Sequence, residues 1–183
     1  MDNQRSETPA KASRGDNFVS YALTRIHQDT GFAARLRRAD NPATEYQSWE
    51  LLAAFGVDLE YDNTRLPFCV VGAALAKAKP EADGTFRIGA AIAACYDDGS
   101  ASDQAKAKLR RLLACTTTAE ACQILRPLLA LISSRGVRLD FSQLLDDLLW
   151  FSGDNRERIR TRWAQSFYHR VKEDTEAEGV SHD

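Results

Sequence analysis

Four arginines fall within seven residues in the last third of the chain: Arg156, Arg158, Arg160 and Arg162, with Glu157 as the one acid between them. A guanidinium is planar, permanently charged, and donates two parallel hydrogen bonds to a single phosphate. A solvated helix face is the plain alternative for such a run. Like charges at i,i+4 repel, however, and a purely structural face more often alternates sign. The chemistry this run suits is the capture of phosphate oxyanions. Weaker groups repeat the theme. Arg35 and Arg38 share a helix face beside Arg37, Lys106 pairs in register with Arg110, and Lys108 with Arg111. Basic patches on separate helices fit an extended polyanion.

Catalytic chemistry has little to stand on. The sequence holds no P-loop, GxSxG or HExxH pattern. Asp146 and Asp147 are adjacent, so on a helix they project about 100° apart and cannot easily share one metal. Their expected role is to pair with Arg160 or another base. Cys69, Cys95, Cys115 and Cys122 are spread out, as are His27, His169 and His182. Metal sites need clustered ligands, so four small buried thiols are expected, with no metal and no cofactor.

Net charge is -2, which on its own argues against a nucleic-acid binder. The charges are segregated, though, and local sign matters more than the total. Residues 40–62 hold six acids and no Lys or Arg, residues 105–138 hold seven bases against Glu120, and residues 156–172 hold six bases against Glu157. The tail, 173–183, holds five acids and no Lys or Arg. Hydrophobic residues make up 44% and charged residues 27%, as in globular proteins. No apolar run approaches the ~20 residues that span a bilayer, and the N-terminus lacks the apolar stretch of a signal peptide. The expected setting is cytoplasmic, away from membranes.

The elements that must carry these bases read as helices throughout. Residues 1–16 read as a mobile arm. NFVSYALTRIHQ forms a first helix, TGFAARLRRAD a short second one with Thr30 as N-cap. Asn41-Pro42 opens a third, with Trp49, Leu51, Leu52 and Phe55 inward and Gly56 at its end. Residues 57–66 read as a loop and Pro67 as the start of the apolar helix PFCVVGAALAKA. FRIGAAIAACYDD follows the turn KPEADGT. DDGSASD reads as a hinge between a lobe of residues 17–98 and a lobe of residues 99–172. Beyond it come QAKAKLRRLLAC, a helix from Thr118 to about Ile132, DFSQLLDDLLWF, and a last helix capped by Asp154 or Asn155. No stretch alternates with period two. The expected fold is all-α, a two-lobed bundle of about eight helices with no sheet.

On the last helix, Ile159, Trp163, Phe167 and Val171 make the inward stripe. Arg158, Arg162, Gln165 and His169 fall about 60° to 120° to one side of Ile159 and share a solvent face. Arg156 and Arg160 fall on the apolar side; Arg160 needs a carboxylate, with Asp146 or Asp147 in range.

In order along the chain, ARLRRAD, the helix ending in FG, LPFCVVGAALA, FRIGAAIA, LRRLLACTTTAEACQILRPLLALI and LDFSQLLDDLLWFSGDNRERIRTRWAQSFY are similar to CasB, the small subunit of the type I-E CRISPR surveillance complex Cascade. The resemblance spans roughly residues 17–170. A longer loop at 133–138 and the acidic tail depart from it. It implies a non-enzymatic, two-lobed helical subunit. Its expected partners are a second copy of itself, the backbone and large Cascade subunits, crRNA, and single- and double-stranded target DNA held through phosphates. The family's basic patches correspond to Arg37 and Arg38, Lys108 and Arg110, Arg126, Arg156 and Arg158. The rival readings are a helical DNA-binding regulator and a helical adaptor for an acidic protein. The first lacks a helix pair joined by a tight turn with base-reading side chains.

Overall fold

Helix termini in this chain are written in its capping residues. Ser13 accepts from the Asp16 amide at 3.0 Å while Asp16 accepts from the Ser13 amide, so helix α1 runs Arg14–Gln28. Asp29 rather than Thr30 caps α2, Thr30–Arg37. Thr117 and Glu120 form a second capping box for α7, Thr118–Ser134. The computed structural model describes residues 11–169. Within it lie α3 (Trp49–Ala54), α4 (Asp62–Ala78), α5 (Ile88–Ala94), α6 (Asp103–Leu113), α8 (Phe141–Leu149) and α9 (Gly153–Tyr168), with short 3-10 turns at Arg38–Asp40, Glu45–Ser48 and Gly99–Ala101. The described residues are thus all-α, with nine α-helices and no strand beyond one isolated bridge between Phe86 and Leu139.

Several boundaries differ from expectation. The arm read over 1–16 is helical from Arg14, and Gly15 donates its amide to Asp146 Oδ1 at 2.8 Å; residues 1–10 and the acidic tail lie outside the described residues. No helix opens at Asn41-Pro42. Asn41 Oδ1 accepts from the Ala43 amide and the Thr44 hydroxyl donates to Arg38 O at 2.8 Å, local bonds that compete with a helical ladder. Helix α4 begins at Asp62, five residues before Pro67, inside the stretch read as a loop. Its amides at Thr64 and Arg65 bond to Tyr61 O, so Pro67 falls in the second turn and removes one rung. Helix α7 continues through Ser134, which shortens the loop read at 133–138. Ser152, not Asp154 or Asn155, precedes α9.

The core forms around α4, whose residues from Pro67 to Ala73 are all buried. It packs against α1, α2, α7 and α8, while α5 packs along α9. All four cysteines are free and buried. Burial pushes the Cys69 and Cys122 thiols up to about 12, which keeps them protonated.

One loop positions the later site. Asp83 accepts from the Phe141 and Ser142 amides and the Ser142 hydroxyl, at 2.6 to 3.0 Å, and so caps α8 from a distant segment. Beside it, Gly84 and Phe86 donate to Leu139 O and Arg138 O, and Asp140 donates back to Phe86 O at 2.9 Å. A Cβ at Gly84 would overlap the Arg138 backbone, so the close approach needs glycine. The pairing fixes the start of α5, and with it Arg87, against α8 and α9.

Acid should act on the caps first. The Ser13 amide holds Asp16 below its ordinary 3.8, the Phe32 amide does the same for Asp29, and the Thr116 amide holds Glu120 below 4.5. Burial pushes Asp40 up, but Lys77 and Arg126 outweigh it and the net shift is downward. Stability from these four is full above their unfolded values and lost as pH falls through the lower folded ones. Asp140 and Asp147, raised chiefly by burial, act in the opposite sense: protonation above pH 3.8 relieves a penalty. The melting temperature is therefore expected to hold or rise slightly down to about pH 4 and to drop steeply below it. Thermal melts from pH 6 to pH 2.5 check this.

Candidate nucleic-acid interface

Helix α9 is pinned by its inner stripe. Ile159, Trp163 and Phe167 are buried, and Trp163 stacks on Phe151 with centroids 5.2 Å apart. The Trp163 indole N–H donates to buried Asp147 Oδ2 at 2.7 Å. The opposite edge carries Asn155, Arg158, Arg162, Gln165, Ser166 and His169. All six line clefts. One cleft, of about 600 Å³, lies between this edge and the segment Thr85–Arg87 with Ala90. A second, of about 470 Å³, lies between the edge and Gln143, Asp146 and Trp150 of the α8 side. Arg162 lines both, so the two meet there. From residue 155 to residue 169 the edge is about 21 Å long at 1.5 Å per residue.

The expected arginines differ in their freedom. Arg158 is exposed on this edge, and no ion pair to it occurs among the described residues. Arg162 is exposed too, but its Nη2 donates to Asp147 Oδ1 at 2.8 Å. The carboxylate expected to serve Arg160 therefore serves Arg162. Arg160 instead donates to Leu113 O at the end of α6 and pairs with Glu157 at 2.6 Å. Arg156 donates to Thr116 O at 2.7 Å and lies 3.9 Å from Glu157. Carbonyls at a helix C-terminus attract cations, so Arg156 and Arg160 fasten α9 to the α6–α7 corner.

Arg126 is also engaged internally, bonded to the Ala39 and Asp40 carbonyls and to Asp40 Oδ1. Lys77 pairs with the same Asp40. Arg35 reaches Glu50 at 3.3 Å and Arg38 reaches Gln47 at 2.7 Å, while Arg37 is exposed with no partner among the described residues. On α6, Lys106 lies 3.8 Å from Asp103. Lys108, Arg110 and Arg111 have no acid partner among the described residues, and Lys108 and Arg111 flank a shallow apolar dent of Ile124, Pro127 and Leu128.

Sequence reasoning missed Arg87 and Trp150. Arg87 is exposed, without an ion pair among the described residues, on the wall facing Arg162. It is the lone base of its segment, so no clustering signal marks it. Trp150 is 65% exposed, and the helical pattern of its segment gives it no role. Arg87 and Arg162 thus line one cleft and Arg158 and Arg162 the next, and these two adjoining clefts make up the α9 groove. Among the described residues no three His, Cys, Asp or Glu side chains are grouped to hold a metal ion. No helix there is long and apolar enough to cross a membrane.

A family model described as CRISPR-associated protein Cse2 matches residues 33–168, from within α2 to the end of α9. The chain belongs to the Cse2 family. Every lysine and arginine named in this subsection falls inside the matched span. Solved Cse2-like structures share the fold. The crystal structure of M. ruber CasB has a TM-score of 0.72 at 24% identity, covering 92% of this chain and 99% of that one. A chain of a CRISPR RNA-guided surveillance complex gives 0.68 at 20% identity, covering 91% and 96%. CasB from Thermobifida fusca gives 0.65 at 18% identity, covering 86% and 99%. No curated protein sequence matches the chain. At these identities the likeness speaks for fold; the Cse2 membership rests on the family model.

Proposed function

We propose that this chain is a non-catalytic small subunit of a Cascade-type CRISPR surveillance complex, and that it steadies crRNA-guided DNA binding by gripping nucleic-acid backbone. Its partners are the other subunits of that complex, a second copy of itself, crRNA and target DNA. The observation that carries the reading is the α9 groove, where Arg87 and Arg158 keep free guanidinium groups beside Arg162. Family membership and the likeness to a chain of an RNA-guided surveillance complex support the setting. Lys108, Arg110, Arg111 and Arg37 supply further cationic points away from the groove.

The energetics suit such a role. Exchanging a DNA duplex for an RNA–DNA heteroduplex is nearly balanced, so a few backbone contacts tip the exchange. Phosphate contacts carry no base information, which leaves sequence choice to the guide.

Replacing Arg87 and Arg158 with Ala together tests this. Both are exposed and unpaired, so the melting temperature should stay within about 2 °C. Affinity of the assembled complex for target DNA should fall roughly 10- to 100-fold, and the salt dependence should lose about two phosphate contacts. Arg162 is a poorer target because its loss also strips a partner from Asp147. An unchanged salt slope in the double variant would sink the reading.

A further inference from the structure

We infer that Trp150 is a stacking platform for an unpaired base of the bound strand, which makes the α9 groove a single-strand site. The inference rests on the nucleic-acid reading above and specifies the form of its ligand. Trp150 ends α8 with its ring in the second cleft and 65% exposed, although Phe151 beside it is buried. The core makes no use of this indole.

The backbone that carries the ring is nevertheless anchored. The Trp150 amide donates to Asp146 O, and its carbonyl accepts from the Ser152 amide at 2.7 Å. Phe151 is locked on the far side by Trp163, and the Thr118 hydroxyl donates to Phe151 O at 3.3 Å. An exposed aromatic on a backbone anchored in this way presents its ring to a flat partner.

The surroundings specify that partner. Arg158 and Asn155 stand on the α9 side of the same cleft, with Gln143 and Asp146 on the α8 side. A base on the indole would put its phosphate toward Arg158, because Asp146 repels phosphate from the opposite wall. The amides of Asn155 and Gln143 can both donate and accept, which suits a base edge without demanding one base. A volume of about 470 Å³ is within the usual range for a small-ligand site. Stacking on an aromatic together with arginine–phosphate contact is the general chemistry of single-strand grooves. Bases inside a duplex offer no free face to the ring.

The test compares Trp150→Ala and Trp150→Phe with the parental full chain, alone and in the assembled complex. The probes are labelled single-stranded and duplex DNA of one sequence. Trp150→Ala should weaken single-strand binding about tenfold and leave duplex binding, the salt slope and the melting temperature unchanged. Trp150→Phe should restore most of the loss, since it keeps a ring. Equal losses on both DNA forms, or no loss on either, would overturn the inference. So would a Trp150→Ala variant that binds DNA normally but fails to join the complex, which would make the ring a protein contact. If the Arg87 and Arg158 double variant weakens binding while Trp150→Ala does not, the stacking fails and the phosphate reading stands. If the parental chain binds no DNA in either setting, both fall.

Discussion

Gly89→Ala is expected to destabilise the chain by about 3 kcal/mol or more. Gly89 lies where α5 crosses α9. A Cβ there would overlap the Trp163 carbonyl oxygen and the Ser166 hydroxyl, and would stand 2.8 Å from Phe167 N. Two of the three nearest atoms are backbone, so no rotamer change clears the space. The helices would have to separate, and with them the Thr85–Arg87 wall of the groove. Urea or thermal denaturation measures the loss; a change under 1 kcal/mol would mean that α5 is free to shift. The same variant should weaken DNA binding even below its melting point, because Arg87 moves with α5.

Asp147→Ala should be the next most damaging change, at about 2 kcal/mol. Asp147 is buried and accepts from the Trp163 indole, Arg162 and Gln143. Burial pushes its carboxyl above the ordinary range, and the three donors pull it back only in part. The charge itself is therefore not what stabilises the fold. The loss comes from the Trp163 N–H, left buried without an acceptor; Arg162 can turn to water. Asp147→Asn keeps a carbonyl for the indole, so its loss should be about half. Chemical denaturation of the two variants distinguishes these accounts: equal losses would place the stabilisation in the ion pair instead.

Much of this was legible in one dimension. Periodicity at 100° per residue placed Ile159, Trp163 and Phe167 inward and set Arg158, Arg162, Gln165 and His169 along one edge, where the structure has them. Both capping boxes obey local rules, though Asp29 and Ser152 show how a cap shifts by a residue or more. Partners across helices were not legible. Arg162 and Arg160 sit two residues apart, and only the docking of α8 decides that Asp147 meets the former. Arg126 is assigned to a phosphate-binding patch by the resemblance, yet Asp40 reaches it from 86 residues away. Arg87 and Trp150 enter the groove through the pairing of residues 84–86 with 138–140 and through the end of α8. Neither contact leaves a periodic trace.

The bond between Arg162 and Asp147 gives the groove an uneven grip. A phosphate arriving at either end meets a guanidinium with no carboxylate to displace. One arriving at the middle competes with an anion already in place, 2.8 Å away. The midpoint thus works as a low step between two stronger holds. Under the proposed function, a strand laid along it would release and re-seat one end at a time, so that the guide, not the clamp, would decide how long the DNA stays.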